Sequence, residues 1–590
     1  MNGKQDLYRV LIMWGALVVA LSVVSFALAA PALPVDTPGV VQQGTPDAPA
    51  TLVPPTPLPV FDNPVPTPVP TTSAVARIRG DGVLRIGVLY NNAPLSSLSE
   101  RGEVVGYEAD IARAVAEDWG VEAAFVQVTR QTAVPLLLAG EVDVLMASVV
   151  HGRQDEALLG FSYTYFPGGQ MFMVRADDEA TEPAQLSGQT IGVVQGTSSE
   201  IALGHALSAG QFSATPVLYL TLDQAVGALG SGEVRAVLAD RVSLLRHQAD
   251  TVRILETMLE PEPYAIAYRR HDDAVGYLLN RSLQRLESDD RLEAIRREWF
   301  PTLAFVLAIP IWSGLEDDTR DLNAFDAGII MPPDPLVPRL AAGGTLRVAG
   351  LDLSETASDF TQRMDGFYQA LVQEMAGRWG VTAEFVPNSA ATALDLVAGG
   401  QADLAVGIQP RWDGPYEVAY SSPLIWHGQR LMVPLTSEIE GFADLRGGRW
   451  VGIFGSEPGT ADQVNELAES VNAVVNIYTI VRDQDAWYAM VQEANIDAAF
   501  GDSLRLLPQV EEHADLVRLT DTWYSEAYLA MGLPRHDPDF RALVEITLQE
   551  MDADGAFARV WEATLGFDEP PTFERWPGER REFMGVRTGG

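Results

Sequence analysis

Two spacings of apolar residues alternate along this chain. "VLRIGVL" at 83–89 is short, apolar and β-branched, which predicts a buried strand. "YEADIARAVAEDWG" then places Ile111, Val115 and Trp119 four residues apart on one helix face and stops at Gly120. "AAFVQV" predicts the next strand, "TAVPLLLAG" a short helix and "VDVLMAS" a further strand. Such alternation implies a largely parallel sheet, whose ligands bind beyond the carboxyl ends of the strands.

The pattern occurs twice, about 260 residues apart. "VLRIGVL" returns as "TLRVAGL" at 345–351, and "GYEADIARAVAEDWGVEAAFV" at 106–126 as "GFYQALVQEMAGRWGVTAEFV" at 366–386. "LLLAGEVDVLMA" is answered by "DLVAGGQADLAVG", "FSYTYFPGGQMFMV" by "YSSPLIWHGQRLMV", and "EVRAVLAD" by "NIDAAFGD". Order and spacing persist, so the chain is read as two duplicated domains.

Before the first copy, residues 10–30 form an uncharged apolar run behind Lys4 and Arg9, long enough to cross a bilayer core. Ala27-Leu28-Ala29 also fits a signal-peptidase site, so a cleaved signal and a retained anchor both stay open. The Pro- and Thr-rich stretch that follows reads as a semi-stiff spacer. The expected organisation is a signal or anchor over 1–30, a linker over 31–74, a first domain over 75–312, a connector over 313–338, a second domain over 339–570 and a tail over 571–590.

Composition narrows the chemistry. Eighty acids against 40 bases give a formal charge of -40, which repels nucleic acid. There is no cysteine, hence no disulfide, thiolate metal site or cysteine nucleophile. Beyond Lys4 every base is arginine or histidine, which removes lysine-dependent catalysis from the domains. The seven histidines, His151, His205, His247, His271, His427, His513 and His536, show no metal-ligand spacing, so no metal or other cofactor is expected.

Taken together, "LRIGVLYNNAPLSSLSERGEVVGYEADIARAVA", "GEVDVLMA", "FSYTY", "LSGQTIGVVQGTSS" and "VLAD" resemble the extracellular solute-binding proteins of family 3. The resemblance spans about 80–301 and 342–567. It implies an α/β fold: two tandem periplasmic-binding-protein-like (type II, Venus flytrap) domains, each of two α/β lobes closing on a small molecule. The strands crossing between lobes are expected near 171–175 and 264–269.

The resemblance also implies site residues. In the family an arginine after the "DV(I/L)" strand pairs with the ligand carboxylate. Here Asp155 stands at that position and Arg153 two residues earlier: either a remodelled loop still brings Arg153 in or the first domain no longer binds an ordinary amino-acid carboxylate, with a solvated arginine at a helix start as the plain structural reading. Ser148 precedes them, and His151 shares their loop. Thr197 and Ser198 match a Gly-Thr segment suited to a carboxylate, and Asp240 matches the acid that takes the ammonium, with a helix cap as its other reading. Asn92 and Leu95 replace aromatic positions. In the second copy Arg411 and Asp502 are candidates, while Glu457 opposes an anion.

The leading expectation is an extracytoplasmic, membrane-tethered protein delivering a small polar solute to an ABC permease. A sensing ectodomain with a separate membrane partner is the second reading. A dehydratase built on Asp155 and Asp240 is the third; an attached lytic transglycosylase is not expected, since few residues follow the second repeat.

Overall fold

The structure is a computed structural model describing residues 71–153, 155–301, 303, 309–353, 359–388, 390–455, 459–481 and 484–565. The apolar segment 10–30 lies outside them; among the described residues no helix is long and apolar enough to cross a membrane.

The first repeat builds one nine-stranded sheet that runs through two lobes. In the first lobe, Val83–Val88 pairs in parallel with Glu122–Gln127 and with Val144–Leu145. In the second, Gln189–Val194 pairs in parallel with Ala214–Tyr219 and Ala236–Asp240. The long strand Leu159–Arg175 and its antiparallel partner Glu260–Arg269 join them, paired from Leu159–Arg269 to Gln170–Glu260 with two register shifts between Tyr264 and Ala267. Residues 171–174 already pair with the second-lobe strand and 264–269 with the first-lobe part of Leu159–Arg175. The crossing therefore falls between the expected segments, at 167–170 opposite 260–263. There Gly168 admits no side chain, since a Cβ would lie 2.4 Å from the Glu262 carbonyl oxygen.

The second repeat splits into two sheets. Its first lobe orders Ala383–Pro387, Leu346–Leu351, Leu404–Ile408, Ala527–Pro534 and Val418–Tyr420; its second orders Val475–Ile480, Arg449–Phe454, Ala498–Asp502, Gln429–Pro434 and Val517–Leu519. Gly428 lies between the crossing strands Ile425–His427 and Gln429–Pro434, where a Cβ would approach the Ser525 carbonyl oxygen to 1.9 Å. The hairpin strands Asn91–Asn92, Ser96–Leu98 and Val104–Val105 of the first repeat have no strand counterpart among the described residues of the second, where helix Asp359–Trp379 starts earlier instead.

Both repeats open with a short helix tied to the motif "RHD". Asp272 accepts from Ser73 Oγ at 2.5 Å and Ala74 N at 2.6 Å, at the start of helix Ala74–Asp81. Asp537 accepts from Leu336 N at 2.8 Å, at the start of helix Leu336–Ala341. The 313–338 stretch, expected as a connector, is structural: Leu315, Leu322 and Phe325 are buried in the first-domain core. Buried Asp318 accepts from Tyr277 Oη at 2.8 Å, and Arg320 reaches the Trp412 and Gly414 carbonyls at 2.8 and 2.9 Å.

These contacts belong to a seam between the first lobes. Trp412 packs among Trp312 and Tyr277, with ring centroids 4.8 and 4.9 Å away, and its Nε1 donates to Gln284 Oε1 at 2.7 Å. His536 and Arg270 meet Asp273 and Asp539 at 3.0 and 2.6 Å. Gln284 and Gln549 hold matching places in helices Asp273–Ser288 and Pro538–Ala553, and Gln549 Oε1 receives the Arg153 guanidinium. The seam thus pairs equivalent surfaces of the two copies, as a two-fold contact does.

Candidate functional site

The first cleft is walled by loops leaving the carboxyl ends of first-lobe strands. Asn92 Nδ2 donates to Ser148 Oγ at 2.7 Å. Ser148 adopts a left-handed backbone (φ 52°), costly for a residue with a side chain, and Glu108 pins it. Glu108 Oε1 accepts from Ser148 N at 2.7 Å, Ser148 Oγ at 3.0 Å and Tyr165 Oη at 2.6 Å, while Oε2 accepts from Ser96 Oγ at 3.0 Å. Glu108 is 0% exposed, and burial raises its pKa against the pull of these bonds. The chain carried a signal for it: Glu108 stands one turn before Ile111 and Ala112, on the apolar face of helix Tyr107–Asp118.

The opposite wall gathers around Gln170, fully buried on the crossing strand. Its Nε2 donates to Glu262 Oε2 at 2.8 Å and Ser198 Oγ at 3.1 Å, and its Oε1 accepts from Ser199 Oγ at 2.6 Å. Asp240 pairs with Gln170 in the ladder. Its Oδ1 accepts from Ser243 N at 2.9 Å, capping helix Arg241–Leu245. Thr197 turns its hydroxyl back to the Val194 carbonyl at 2.7 Å, and the Gly196 N–H is taken by Glu200 Oε2 at 2.6 Å. Burial, then the neighbouring Asp240 charge, raises the Glu262 pKa, opposed by Gln170 and Arg130. Asn92 and Ser148 are thus brought together on one lobe, and Ser198 and Asp240 meet around Gln170. Gln170 and Glu262 were not anticipated, because their place depends on which strand residues fall at the crossing.

Arg153 stands elsewhere. Its NH1 donates to Glu156 Oε2 at 2.9 Å, its other terminal nitrogen contacts Gln549, and the group forms part of the seam. His151 joins Glu156 at 2.9 Å and stacks on Phe161, centroids 4.3 Å apart. Burial pushes Glu156 up, but Arg153 and His151 outweigh it and hold the carboxyl at about 2. The loop on which the resemblance places the carboxylate arginine instead ties the two domains together.

The second cleft is assembled differently. Asp502 caps helix Ser503–Glu512 through Leu504 N at 2.9 Å and pairs with His427 Nδ1 at 2.6 Å. Arg411 is exposed beside Asp413, 3.6 Å away, and its backbone pairs with Ser313, so it shares no partner with Asp502. Tyr368 occupies the place of Glu108; among the described residues its buried hydroxyl has no hydrogen-bond partner, nor has Asp365 Oδ2 one turn earlier. Burial, then Asp352, raises Asp365 to about 6. Glu457 lies outside the described residues. A concavity of about 620 Å³ lined by Tyr478, Trp487 and Tyr488 sits beside the edge strand Val475–Ile480, apart from these residues. Among the described residues no group of acids and histidines is arranged to hold a metal ion.

Two α/β lobes joined by crossing strands, an arrangement present here twice, with polar groups of the first copy gathered on each lobe, define a two-lobed module. The family model of bacterial extracellular solute-binding proteins, family 3, matches residues 84–302 and 354–566, and the chain belongs to that family. The glutamine-binding protein GlnH of an ABC transporter of Bacillus subtilis is 28% identical over 205 residues, 34% of this chain and 73% of that protein. The L-cystine-binding protein TcyJ of Escherichia coli is 22% identical over 232 residues, 38% of this chain and 85% of that protein. Among solved structures, an ancestral arginine-binding protein bound to arginine is 29% identical, covering 37% of this chain and 98% of its own, with a TM-score of 0.31.

Proposed function

We propose that this protein captures a small polar solute, an amino acid or a related compound, in its first cleft outside the cytoplasm and delivers it to an ABC importer. The observation that carries this reading is the first cleft itself: Asn92 and Ser148 on one wall, Thr197, Ser198 and Asp240 on the other, and the paired strands Leu159–Arg175 and Glu260–Arg269 as hinge. A ligand bridging the walls favours the shut state by its extra contacts there. The glutamine- and cystine-binding relatives support the ligand class, and the apolar run 10–30 supports a membrane tether.

The second cleft, with Arg411 and Asp502 apart and the hairpin replaced, is read as serving another ligand or a structural role. A sensing ectodomain is the second reading, favoured by the seam through which one domain meets the other. A dehydratase requires an acid and a base directed at one substrate, whereas Asp155 lies on the seam loop and Asp240 caps a helix.

Thermal unfolding of the full chain against the twenty amino acids, small carboxylates and amines tests the proposal. Ligand at a thousandfold its dissociation constant adds about 4 kcal/mol, roughly 10 °C for a domain of this size. A chain that responds to none of them is not a binding protein for such solutes.

A further inference from the structure

If the first cleft takes an amino acid, something other than Arg153 must meet its carboxylate. Several other first-lobe arginines are engaged: Arg77 and Arg85 with Asp143, Arg113 with Asp110. Arg130 differs. It lies in the turn between strand Glu122–Gln127 and helix Ala133–Leu138, at the carboxyl end of the strand. The loops bearing Asn92 and Ser148 leave the sheet at that same end.

The turn is built to hold its shape. Thr129 N donates to Thr132 Oγ1 at 2.9 Å, Thr132 N donates to Thr129 Oγ1 at 3.2 Å, and Ala133 N reaches the Thr129 carbonyl at 2.9 Å. From it Arg130 projects exposed, with no hydrogen bond or ion pair to any described residue. Its charge nevertheless acts on Glu262 and Tyr264, both on the crossing strand. An exposed cation without a partner among the described residues thus stands at the sheet end from which the loops bearing Asn92 and Ser148 leave, within electrostatic reach of Glu262 on the crossing strand.

We propose that Arg130 receives the carboxylate of an amino-acid ligand in the first cleft, with Glu262 and Asp240 receiving its ammonium. The assignment rests on the solute-binding reading above. A guanidinium offers a carboxylate two parallel donors, a match a lysine ammonium cannot reproduce. A zwitterion places one charge toward each side and so links the first lobe to the hinge.

The test uses the full chain. Thermal shift against the twenty L-amino acids finds the best binder, and isothermal titration then compares it with its decarboxylated amine (agmatine for L-arginine, histamine for L-histidine) on wild type, Arg130→Ala, Arg130→Lys and Arg153→Ala. The expected result is a loss of affinity on the order of ten- to a hundredfold for the amino acid in Arg130→Ala. Arg130→Lys should recover part of it, and Arg153→Ala should stay within about twofold of wild type. The amine, lacking the group Arg130 holds, should bind both Arg130→Ala and wild type alike. Since Arg130 is exposed and unpaired, the ligand-free variant should melt with wild type. Equal amino-acid affinity in Arg130→Ala and wild type overturns the assignment and leaves solute binding standing, as does a wild type that binds only decarboxylated amines. A wild type that takes none of the twenty, no amine and none of the small carboxylates removes the solute-binding reading, and the assignment with it.

Discussion

Glu108 should prove the stability determinant of the first cleft. Replacing it with alanine leaves the Ser148 N–H and the Tyr165 hydroxyl, held at 2.7 and 2.6 Å, without their acceptor in a fully buried place. Each unsatisfied buried donor costs about 1–2 kcal/mol, and loss of the side chain's own packing adds about 1 kcal/mol, so Glu108→Ala should cost about 3–5 kcal/mol. For a domain of some 240 residues that lowers melting by roughly 6–20 °C. Glu108→Gln is the informative companion: its amide oxygen still accepts from Ser148 and Tyr165, and its amide nitrogen can donate to Ser96 Oγ. Burial raises the folded-state pKa of Glu108, so its contribution is fully present at acid pH and is lost as pH rises through that raised value. The glutamine variant should therefore match wild type in acid and equal or exceed it at neutral pH. Differential scanning calorimetry of the full chain at pH 5 and pH 7.5 reads both effects. An alanine variant melting within 2 °C of wild type, or a glutamine variant as unstable as the alanine one, would refute the reasoning.

Three further outcomes are expected. Trp412→Ala should cost about 3–5 kcal/mol and separate the calorimetric trace into two transitions, because it empties the aromatic centre of the seam; one transition shifted as a whole would contradict this. Gly428→Ala should weaken the second domain by several kcal/mol through the clash with the Ser525 backbone, seen as a lower urea midpoint, and an unchanged midpoint would mean the hinge has slack. The raised Asp365 pKa makes its contribution complete below the ordinary value of 3.8 and lost as pH rises through about 6. Asp365→Asn should accordingly gain on wild type between pH 4 and pH 7 in urea unfolding, whereas a difference constant across that range would show that the carboxyl does not titrate there.

The duplication, the lobe strands and the existence of crossing strands were legible because periodicity and repeat spacing are local properties of the chain. The expected segments 171–175 and 264–269 do lie in the crossing strands, but the passage itself, at 167–170 opposite 260–263, is harder to read because glycines 168 and 169, which permit it, look like ordinary strand interruptions. The 313–338 segment resembles a spacer in its proline and aspartate content, yet Leu315, Leu322 and Phe325 fill a core that forms only once the helix Asp273–Ser288 is in place. The site was legible in part. Asn92 and Ser148 do meet, but the buried acid joining them hides among helix residues, and the destination of Arg153 depends on a surface supplied almost 400 residues later.

The seam has a consequence in mass action. Two separate copies joined through equivalent surfaces would part on dilution, whereas one chain holds its halves at an effective concentration on the order of millimolar or more, independent of how much protein is present. Fusion also ends the symmetry of mutation, for a change in one half is no longer copied into the other. Gln284 and Gln549 have kept the same place and the same accepting oxygen while one now meets an indole and the other a guanidinium. The same freedom lets one cleft keep its hairpin and its buried glutamate while the other carries a tyrosine and a lengthened helix.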